Sequence, residues 1–499
     1  MKKIVLPAVA LLAFFLGGCS NTKELVIYNT SDVRGYYWPN PAPEGERGGY
    51  AVLKNMLKTE TSKYILLGGG NWFYDTPEGK FTKDTAAVRL MNDLGYAAVC
   101  PGGSDFSYGW KPLRAMISKA NFPVLCANVY YGAGERRADF FKPYFITELG
   151  GVKTGIFGLM SRSVYKNVQS MEMSGITVTD PVAEAERVVP ELRKKGCKLI
   201  IALTDMGFNA YRRGAEDDDG ELARRVPGIS LIIGGGTRPE SERPEKIGDT
   251  YIVQAGSKLE KAGRLSLSVN VYSGKIIRCR YRLISVEKSK YGEDIEIAEY
   301  LARIRGEVVR LLDKKVAYSK DSYAHAGGGE TPMGDWMADC MRRWLKADIA
   351  LLNYSAIKNG LPSGSLTERA LYDTIPGDDS VMSMKVRGED IKSALEAGLS
   401  SPAGRIQISG LSVRYNMGAA EGERVKGILV DGEPLKNDKI YRVVATDTMI
   451  AGAEGYGALG RAVEFANTKE LLRTRISWCL YVRQPREKEA PVRWLEDKN

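Results

Sequence analysis

The chain has 499 residues, of which 44% are hydrophobic and 26% are charged, and its formal net charge is +10. The hydrophobic content is ample for large cores, and the length predicts a globular protein of two or more domains. The Lys and Arg residues are scattered and form no basic patch interleaved with aromatic side chains, which excludes nucleic acid from the predicted partners.

The first 19 residues have the pattern of a lipoprotein signal peptide. Lys2 and Lys3 precede an almost wholly apolar stretch, residues 4–18, which is too short to span a bilayer and is typical of a cleaved signal. Small residues stand just before Cys19, which suits diacylation of that cysteine; the alternative is an ordinary signal peptide with a chance cysteine. Ser20 follows, which favours the outer membrane over the inner one. We therefore expect a lipid-anchored protein of the cell envelope.

Short apolar runs alternate with helix-like stretches from residue 24 to about residue 285. Most runs lead into Gly, Asn, Thr or Pro, which is typical of an α/β domain whose functional loops follow the carboxyl ends of strands. The runs are Leu25–Tyr28, Tyr64–Leu67, Ala97–Cys100, Val124–Ala127, Thr154–Phe157, Leu199–Leu203 and Leu231–Ile233.

A single apolar stripe over residues 295–315 predicts one helix between two domains. Its members, Ile297, Leu301, Ile304, Val308 and Leu311, recur at steps of four and three. A second α/β block follows from about residue 318 to residue 480, with a predicted helix over 334–346 and predicted strands over 349–353 and 441–445. Residues 486–499 are predicted to be a polar tail.

Loop sequences in the N-terminal half form an ordered set of motifs. They are Thr30-Ser31-Asp32-Val33-Arg34-Gly35, then Gly70-Asn71-Trp72-Phe73 with Thr76-Pro77, then Gly102-Gly103-Ser104-Asp105-Phe106, Thr204-Asp205-Met206-Gly207, Gly234-Gly235-Gly236-Thr237-Arg238 and Gln254-Ala255-Gly256. The C-terminal half adds Asn353 to Lys358, Ser409-Gly410-Leu411, Val430-Asp431-Gly432 and Gly452-Ala453-Glu454-Gly455-Tyr456.

In this order, the motifs resemble those of the bacterial 5'-nucleotidase family over nearly all of residues 24–465. The resemblance implies an N-terminal metallophosphoesterase-like α-β-β-α sandwich, a connecting helix and a C-terminal α/β domain of the 5'-nucleotidase type. We assign residues 1–19 to the signal peptide, 20–290 to the first domain, 291–317 to the connecting helix, 318–485 to the second domain and 486–499 to the tail.

The family's dinuclear metal site is replaced almost position by position. Such a site holds two metals about 3.5–4 Å apart through imidazole and carboxylate ligands. Of the positions that the resemblance assigns to ligands or catalysis, only Asp32 keeps the family's residue. The others are Arg34, Asn71, Gly103, Ser104, Asp205, Gly236 and Arg238. The chain contains one histidine, His325, which lies in a Gly-rich segment and is predicted to be a surface loop residue.

Three interpretations of this altered site remain open from the sequence. Arg34 and Arg238 can pair with Asp32 and Asp205 as an inert salt-bridge cluster, or they can form an anion site for a small molecule. Alternatively, the oxygen donors of Asp32, Asn71, Ser104, Asp105 and Asp205 can hold one Mg²⁺ or Ca²⁺. We favour a metal-free pocket without a cofactor, because a guanidinium cannot lose its proton to ligate a cation.

The resemblance also implies a nucleoside pocket in the second domain, and this pocket is altered too. Its arginine is Lys358, its ring-stacking phenylalanine is Thr448 and its aspartate is Glu454. Asn353, Lys358, Glu454 and Tyr456 remain candidate ligand-binding residues. We expect weak nucleotide binding, because a stacked aromatic ring contributes about 1–3 kcal/mol per base.

The sequence thus predicts a catalytically inactive envelope lipoprotein of this family, which binds an anionic ligand or an envelope protein. The alternative is a phosphoester hydrolase with a single metal. The acidic run Glu216–Asp219 is predicted to be a solvated loop. Six cysteines follow Cys19, and the sequence leaves their disulfide pairing open: Cys100, Cys126, Cys197, Cys279, Cys340 and Cys479.

Overall fold

A computed structural model describes residues 21–73, 76–82, 85–134, 136–164, 173, 175–208, 217–236, 242–401, 403–482 and 492–497. Cys19 and Arg238, two residues with predicted roles, lie outside these ranges. Among the residues described, no helix has both the length and the apolar character needed to cross a membrane.

Two β-sheets packed face to face form the first half of the chain. The first sheet has the strand order Ile276–Ser285, Lys261–Asn270, Thr22–Ser31, Tyr64–Gly69 and Tyr96–Val99. The second has the order Glu245–Ile247, Thr250–Val253, Leu231–Ile233, Leu199–Asp205, Val152–Met160 and Tyr144–Leu149. Apolar side chains from both sheets, such as Ile27 and Ile201, fill the space between them.

Helices cover the outer face of each sheet. The helices Tyr50–Lys58, Thr85–Leu94 and Trp110–Ile117 pack on the first sheet, and Pro181–Lys194 and Asp219–Arg225 pack on the second. These layers form the expected α-β-β-α sandwich. Its shorter elements are the strands Asn40–Ala42, Gly45–Arg47, Val129–Tyr131, Arg136–Arg137 and Ile176–Val178 and the helices Pro77–Phe81, Gly103–Phe106 and Lys288–Tyr291.

One apolar run does not form a strand as predicted. Val124 and Leu125 make only isolated bridges, to Val99 and to Lys142 respectively. The other six runs lie within strands or overlap them. The segment around Val124 is nevertheless buried, because it crosses between the two sheets in the interior.

The helix Ile295–Leu312 connects the two halves and begins at Asp294, whose carboxylate accepts a hydrogen bond from the Ile297 N–H at 3.1 Å. Its buried face ends in Leu312, and Leu311 is half exposed, so the predicted stripe is one residue wrong at its end. The reason is the helical period, which places Leu312 four residues beyond the buried Val308.

The second half is a smaller α/β domain. A five-stranded sheet has the order Gln407–Ser409, Ile349–Leu352, Ile440–Thr446, Ser380–Arg387 and Glu464–Leu471. A four-stranded sheet has the order Glu433–Pro434, Val425–Val430, Leu411–Tyr415 and Trp494–Glu496, and Lys315–Ser319 pairs with Gly364–Thr367. The helices are Pro332–Trp344, Tyr354–Ala356, Glu368–Thr374, Gly388–Ser400, Asp447–Ile450, Ala453–Arg461 and Leu472–Val482.

The predicted polar tail contains a short strand, Trp494–Glu496, that is buried at Trp494. Trp494 is 3% exposed, its ring packs edge-on against Tyr415, and its indole N–H donates to the Ile406 carbonyl at 3.2 Å. Arg493 lies 3.0 Å from Asp339 and 3.5 Å from Asp335. The tail prediction is wrong here because it followed average polarity, whereas one large aromatic side chain is enough to dock a short strand.

A disulfide joins the first and last helices of the second domain. It connects Cys340 to Cys479, which are 139 residues apart in the chain. Cys100, Cys126, Cys197 and Cys279 carry free thiols. The bond therefore ties the end of the domain to its beginning.

Candidate functional site

The predicted site residues of the first domain that the structure describes meet at one edge of the sandwich. Thr22–Ser31 pairs in parallel with Tyr64–Gly69, and Leu199–Asp205 pairs in parallel with Leu231–Ile233. The carboxyl ends of these strands share an edge, and the Ser31 hydroxyl joins the two sheets by donating to the Gly234 carbonyl at 2.7 Å. This edge carries the loops with Asp32, Asn71, Ser104, Asp205 and Gly236.

Asn71 lies at the centre of the site and is 3% exposed. Its Oδ1 accepts hydrogen bonds from the backbone N–H and the hydroxyl of Ser104, both at 2.9 Å. A backbone N–H can only donate, so it assigns Oδ1 to that side and turns the amide NH₂ to the other. That NH₂ donates to Asp32 Oδ1 at 2.9 Å and to Asp205 Oδ1 at 2.6 Å. One neutral amide thus bridges two buried carboxylates.

Asp32 is 1% exposed and has further donors around it. Arg34 lies 3.2 Å from Asp32 Oδ1 as an ion pair, and the Gly236 N–H donates to Oδ2 at 2.9 Å. The expected pairing of Arg34 with Asp32 is therefore present. The other predicted arginine, Arg238, lies outside the described residues.

The loops around Asp32 adopt conformations that ordinary residues avoid. Asp32, Arg34 and Asn71 have φ values of 48°, 55° and 57°, in the left-handed region. Such a conformation costs roughly 1–2 kcal/mol for a residue such as Arg34, and less for Asp32 and Asn71, because Asp and Asn are enriched in this region. Backbone hydrogen bonds between the loops hold them there, from the Asp32 N–H to Gly70 O at 3.1 Å and from the Arg34 N–H to Asn71 O at 2.9 Å. Position 70 requires glycine, because a Cβ there would lie only 2.6 Å from Asp205 Oδ1.

Asp205 faces Asp32 across the Asn71 amide. Its Oδ2 accepts a hydrogen bond from the Gly103 N–H at 2.9 Å. Burial and, to a lesser extent, the nearby Asp32 carboxylate raise the pKa of Asp205 to about 7, against the opposing effects of Gly103, Arg34 and Asn71. A proton on Asp205 near neutral pH would relieve the repulsion between the two carboxyl groups.

Asp105 has a structural role, which differs from the prediction that it donates oxygen to the site. Its Oδ1 accepts from the backbone N–H groups of Trp72 and Phe73 at 2.7 and 3.0 Å, and its Oδ2 accepts from that of Gly102 at 2.7 Å. Both oxygens thus hold the loop that carries Asn71 against the loop that carries Ser104.

The acidic run before residue 220 is buried, so its prediction as a solvated loop is wrong for the described residues Asp217, Asp218 and Asp219. Asp217 pairs with Arg162 at 2.7 Å, and Asp218 caps a helix by accepting from the Gly220 N–H at 2.8 Å. Asp219 is fully buried, and its Oδ1 accepts from the Thr204 hydroxyl at 2.7 Å. Burial raises the pKa of Asp219 well above its usual range.

The sequence did not reveal the burial of Asp219, because a run of acidic residues usually indicates exposure to solvent. An aspartate just before a helical stretch is nevertheless typical of an N-terminal cap. Gln254 lies 3.5 Å from Asp219 on its other side. Through Thr204, the residue before Asp205, Asp219 contacts the strand end that carries the Asp205 carboxylate.

The residues present do not fit two divalent metals. The amide of Asn71 offers N–H groups, and not lone pairs, to the point between Asp32 and Asp205. The Arg34 guanidinium brings a fixed positive charge to the Asp32 carboxylate. Gly103 and Gly236 contribute only backbone N–H groups. Within the described part of the chain, no group of three or more His, Cys, Asp and Glu side chains is arranged to hold a metal ion.

The candidate pocket of the second domain is largely satisfied internally. Glu454 Oε1 accepts from the Asn353 amide at 3.1 Å and from the Ser355 hydroxyl. Tyr456 is fully buried in the core, so its ring packs among apolar residues and offers no face to a ligand. Lys358 is exposed.

His325 is half buried, not a simple surface residue. Its ring stacks on Tyr354 with centroids 3.9 Å apart. One ring nitrogen lies 2.9 Å from the Thr331 hydroxyl and the other 3.1 Å from the Tyr354 carbonyl. Burial lowers the pKa of His325. Both ring nitrogens are engaged in hydrogen bonds.

A family model for the C-terminal domain of 5'-nucleotidases matches residues 313–461. A 5'-nucleotidase of Vibrio cholerae is 26% identical over 498 residues, covering 90% of this chain and 88% of that protein. Protein UshA of Yersinia enterocolitica is 23% identical, covering 90% and 89%.

Solved structures show the same two-domain fold. A 5'-nucleotidase precursor from Thermus thermophilus matches with a TM-score of 0.74 and 24% identity, covering 95% of this chain and 99% of that one. A putative 5'-nucleotidase from Staphylococcus aureus matches with a TM-score of 0.81 and 17% identity, covering 95% and 100%.

Residues 313–461 therefore form a C-terminal domain of the 5'-nucleotidase type, and the chain is similar to 5'-nucleotidases over 90% of its length. The predicted two-domain architecture is confirmed.

Proposed function

We propose that this 5'-nucleotidase relative is an envelope lipoprotein that does not hydrolyse phosphoesters and acts as a binding or structural component. The observation that carries the proposal is the Asn71 amide, which donates to Asp32 and Asp205 together. In the family, the corresponding position is a carboxylate that bridges two metals. Here a neutral donor takes that position and links the carboxylates directly.

Catalysis would also lack its proton carriers. The position of the family's catalytic histidine is Ser104, whose hydroxyl donates to Asn71 Oδ1 at 2.9 Å. A serine hydroxyl near neutral pH is a poor general acid or base, since efficient transfer needs a pKa near the working pH. Arg34 is engaged with Asp32, which supports a filled ion-pair cluster over an open anion site.

Metal content and turnover test this proposal directly. Protein purified without chelator is expected to contain no stoichiometric Mn, Zn or Fe by mass spectrometry, and to release no phosphate from AMP or from bis-p-nitrophenyl phosphate. The family relative from Vibrio cholerae, purified in parallel, serves as the control. Stoichiometric metal together with activity that EDTA removes would overturn the proposal.

A second candidate is a hydrolase with one divalent metal. Asp32 and Asp205 converge on a single point with hard oxygen atoms, the kind that Mg²⁺ and Ca²⁺ prefer. Titration with Mg²⁺, Ca²⁺ and Mn²⁺ decides between the two candidates. Saturable heat of binding with phosphoester turnover that Asp205→Asn abolishes would favour this second candidate.

The envelope location rests on the signal sequence, and Cys19 tests it. Cys19→Ser is expected to block lipidation, so that the precursor accumulates or the protein is released from membranes. Cys279→Ser changes another free cysteine and is expected to leave processing unchanged. Normal processing of Cys19→Ser, with detergent-dependent membrane fractionation, would rule out the lipid anchor.

A further inference from the structure

A row of arginines lies on the edge of the first sheet, which differs from the expectation that the basic residues are scattered. The strand Ile276–Ser285 is the outermost strand, and Arg278, Arg280 and Arg282 are all exposed. The intervening residues Cys279, Tyr281 and Leu283 pack into the core between the sheets. Because side chains alternate along a strand, the three guanidinium groups share the opposite face. We call this row the cationic edge.

The cationic edge is not neutralised locally. Among the residues that the structure describes, none forms an ion pair with Arg278, Arg280 or Arg282. Opposite Arg278 lies Ser268, whose other strand neighbour is Glu24, the one acidic residue of the first strand. Two strand spacings, about 10 Å, separate the Glu24 strand from the arginines. A Debye length of about 8 Å at physiological salt screens such a separation.

The same end of the sheet receives the start of the folded chain. Thr22 pairs with Asn270, and the Val271 N–H donates to the Asn21 carbonyl at 2.9 Å. The next residue, Tyr272, is 69% exposed in the turn that leads to the arginine strand. Cys19 is two residues before Asn21, so at most about 7 Å of extended chain separates them. A lipid on Cys19 would hold this turn at the membrane surface.

We propose that the cationic edge, together with Tyr272, lies on anionic lipid headgroups. The argument rests on the lipid anchor of the proposed function for its location and on charge complementarity for its chemistry. Each Lys or Arg close to an anionic surface favours binding, and tyrosine is enriched at the membrane interface. A diacylated Cys19 supplies two chains and so anchors the protein by itself. The basic surface beside it would orient the domain on the membrane and strengthen its contact with anionic lipid.

Contact between the cationic edge and the membrane would determine how the site with Asp32 and Asp205 is oriented relative to the membrane. The first strand, Thr22–Ser31, runs from the anchor to the site in ten residues, which is about 30 Å. The arginine strand lies along the same sheet. The edge with Asp32 and Asp205 therefore lies at the opposite end of this strand from the anchor, and the cationic edge extends along the sheet between them.

Vesicle binding by the unlipidated protein tests the cationic edge. A chain that starts at Ser20 keeps every described helix and strand, since the first of them begins at Thr22. The probes are vesicles of phosphatidylglycerol with phosphatidylcholine and vesicles of phosphatidylcholine alone. We expect binding to the anionic vesicles only, weakened at least tenfold in Arg278→Gln/Arg280→Gln/Arg282→Gln and restored when the same three residues are lysine.

A matched variant controls for net charge. Lys392→Gln/Lys426→Gln/Lys436→Gln removes three exposed charges from the second domain and is expected to bind as the unmodified chain does. Equal loss in this control, equal binding to both vesicle types, or full binding by the arginine variant would overturn the proposal. Labelling of Cys19 with radioactive palmitate reports the anchor separately, so failure of the anchor and failure of the cationic edge give different results.

Discussion

The side-chain nitrogen of Asn71 lies 2.6 Å from Asp205 Oδ1 and 2.9 Å from Asp32 Oδ1. It separates two buried carboxylates that would otherwise repel each other. The stability of the first domain therefore depends on this neutral amide, and its replacement by a charged group has a predictable result.

Asn71→Asp is expected to lower the free energy of unfolding by about 3–5 kcal/mol near neutral pH, because it places a third, uncompensated carboxylate in the cluster. The loss should shrink on acidification, when the new group takes up a proton, and also on addition of Mn²⁺ or Ca²⁺. Chemical denaturation at pH 5 and pH 7.5, with and without metal, measures both effects. Asn71→Ala is the control without added charge, and equal stability of both variants at all pH values would contradict the prediction.

The pH dependence of stability should carry the signature of Asp205. Its folded pKa is about 7, against an ordinary value of 3.8, so the folded state binds more protons than the unfolded state between these values. The contribution of Asp205 to the free energy of unfolding therefore falls as the pH rises from about 4 to about 7, by about 1.4 kcal/mol for each unit of pKa difference.

Urea denaturation of the unmodified chain and of Asp205→Asn between about pH 4 and pH 7 measures the contribution of Asp205 to the free energy of unfolding. The difference between the two curves should grow with pH in favour of the asparagine variant and level off above pH 7. Parallel curves would show that Asp205 ionises normally.

The tail strand should contribute strongly to the second domain. Trp494→Ala removes a ring that is 3% exposed and is expected to cost about 3–5 kcal/mol. Leu495→Ala, at a neighbouring position that is 46% exposed, should cost far less. Calorimetric unfolding of both variants checks this, and similar melting temperatures for the two would mean that the strand is not docked in solution.

Reduction of the disulfide should destabilise the same domain. The Cys340–Cys479 bond closes a long loop, and its loss is expected to cost about 2–5 kcal/mol. The double variant Cys340→Ala/Cys479→Ala should melt at a lower temperature that dithiothreitol does not change further. Cys197→Ala/Cys279→Ala is the matched control, and its melting should remain sensitive to dithiothreitol. Alkylation of the unfolded but unreduced mature protein should modify four cysteines apart from Cys19, whereas modification of six would refute the pairing.

The sequence by itself predicted the resemblance to 5'-nucleotidases and the replacement of most positions that the resemblance assigns to metal ligands. Ordered loop motifs are specific as a set even when each is weak, and a chain with one histidine cannot supply an imidazole-rich centre. Local periodicity also predicted the connecting helix and most strands, because the burial of one face imposes a repeat that is readable in the sequence.

Only the tertiary structure decided how the remaining groups act. The direction of the Asn71 amide follows from a backbone N–H of Ser104, 33 residues away, and the sequence carries no sign of it. The burial of Asp219 depends on Thr204 from another strand, and the role of Trp494 depends on the edge offered by Leu411–Tyr415. Composition describes which donors and acceptors a chain contains, but their partners are chosen by packing between segments that are distant in sequence.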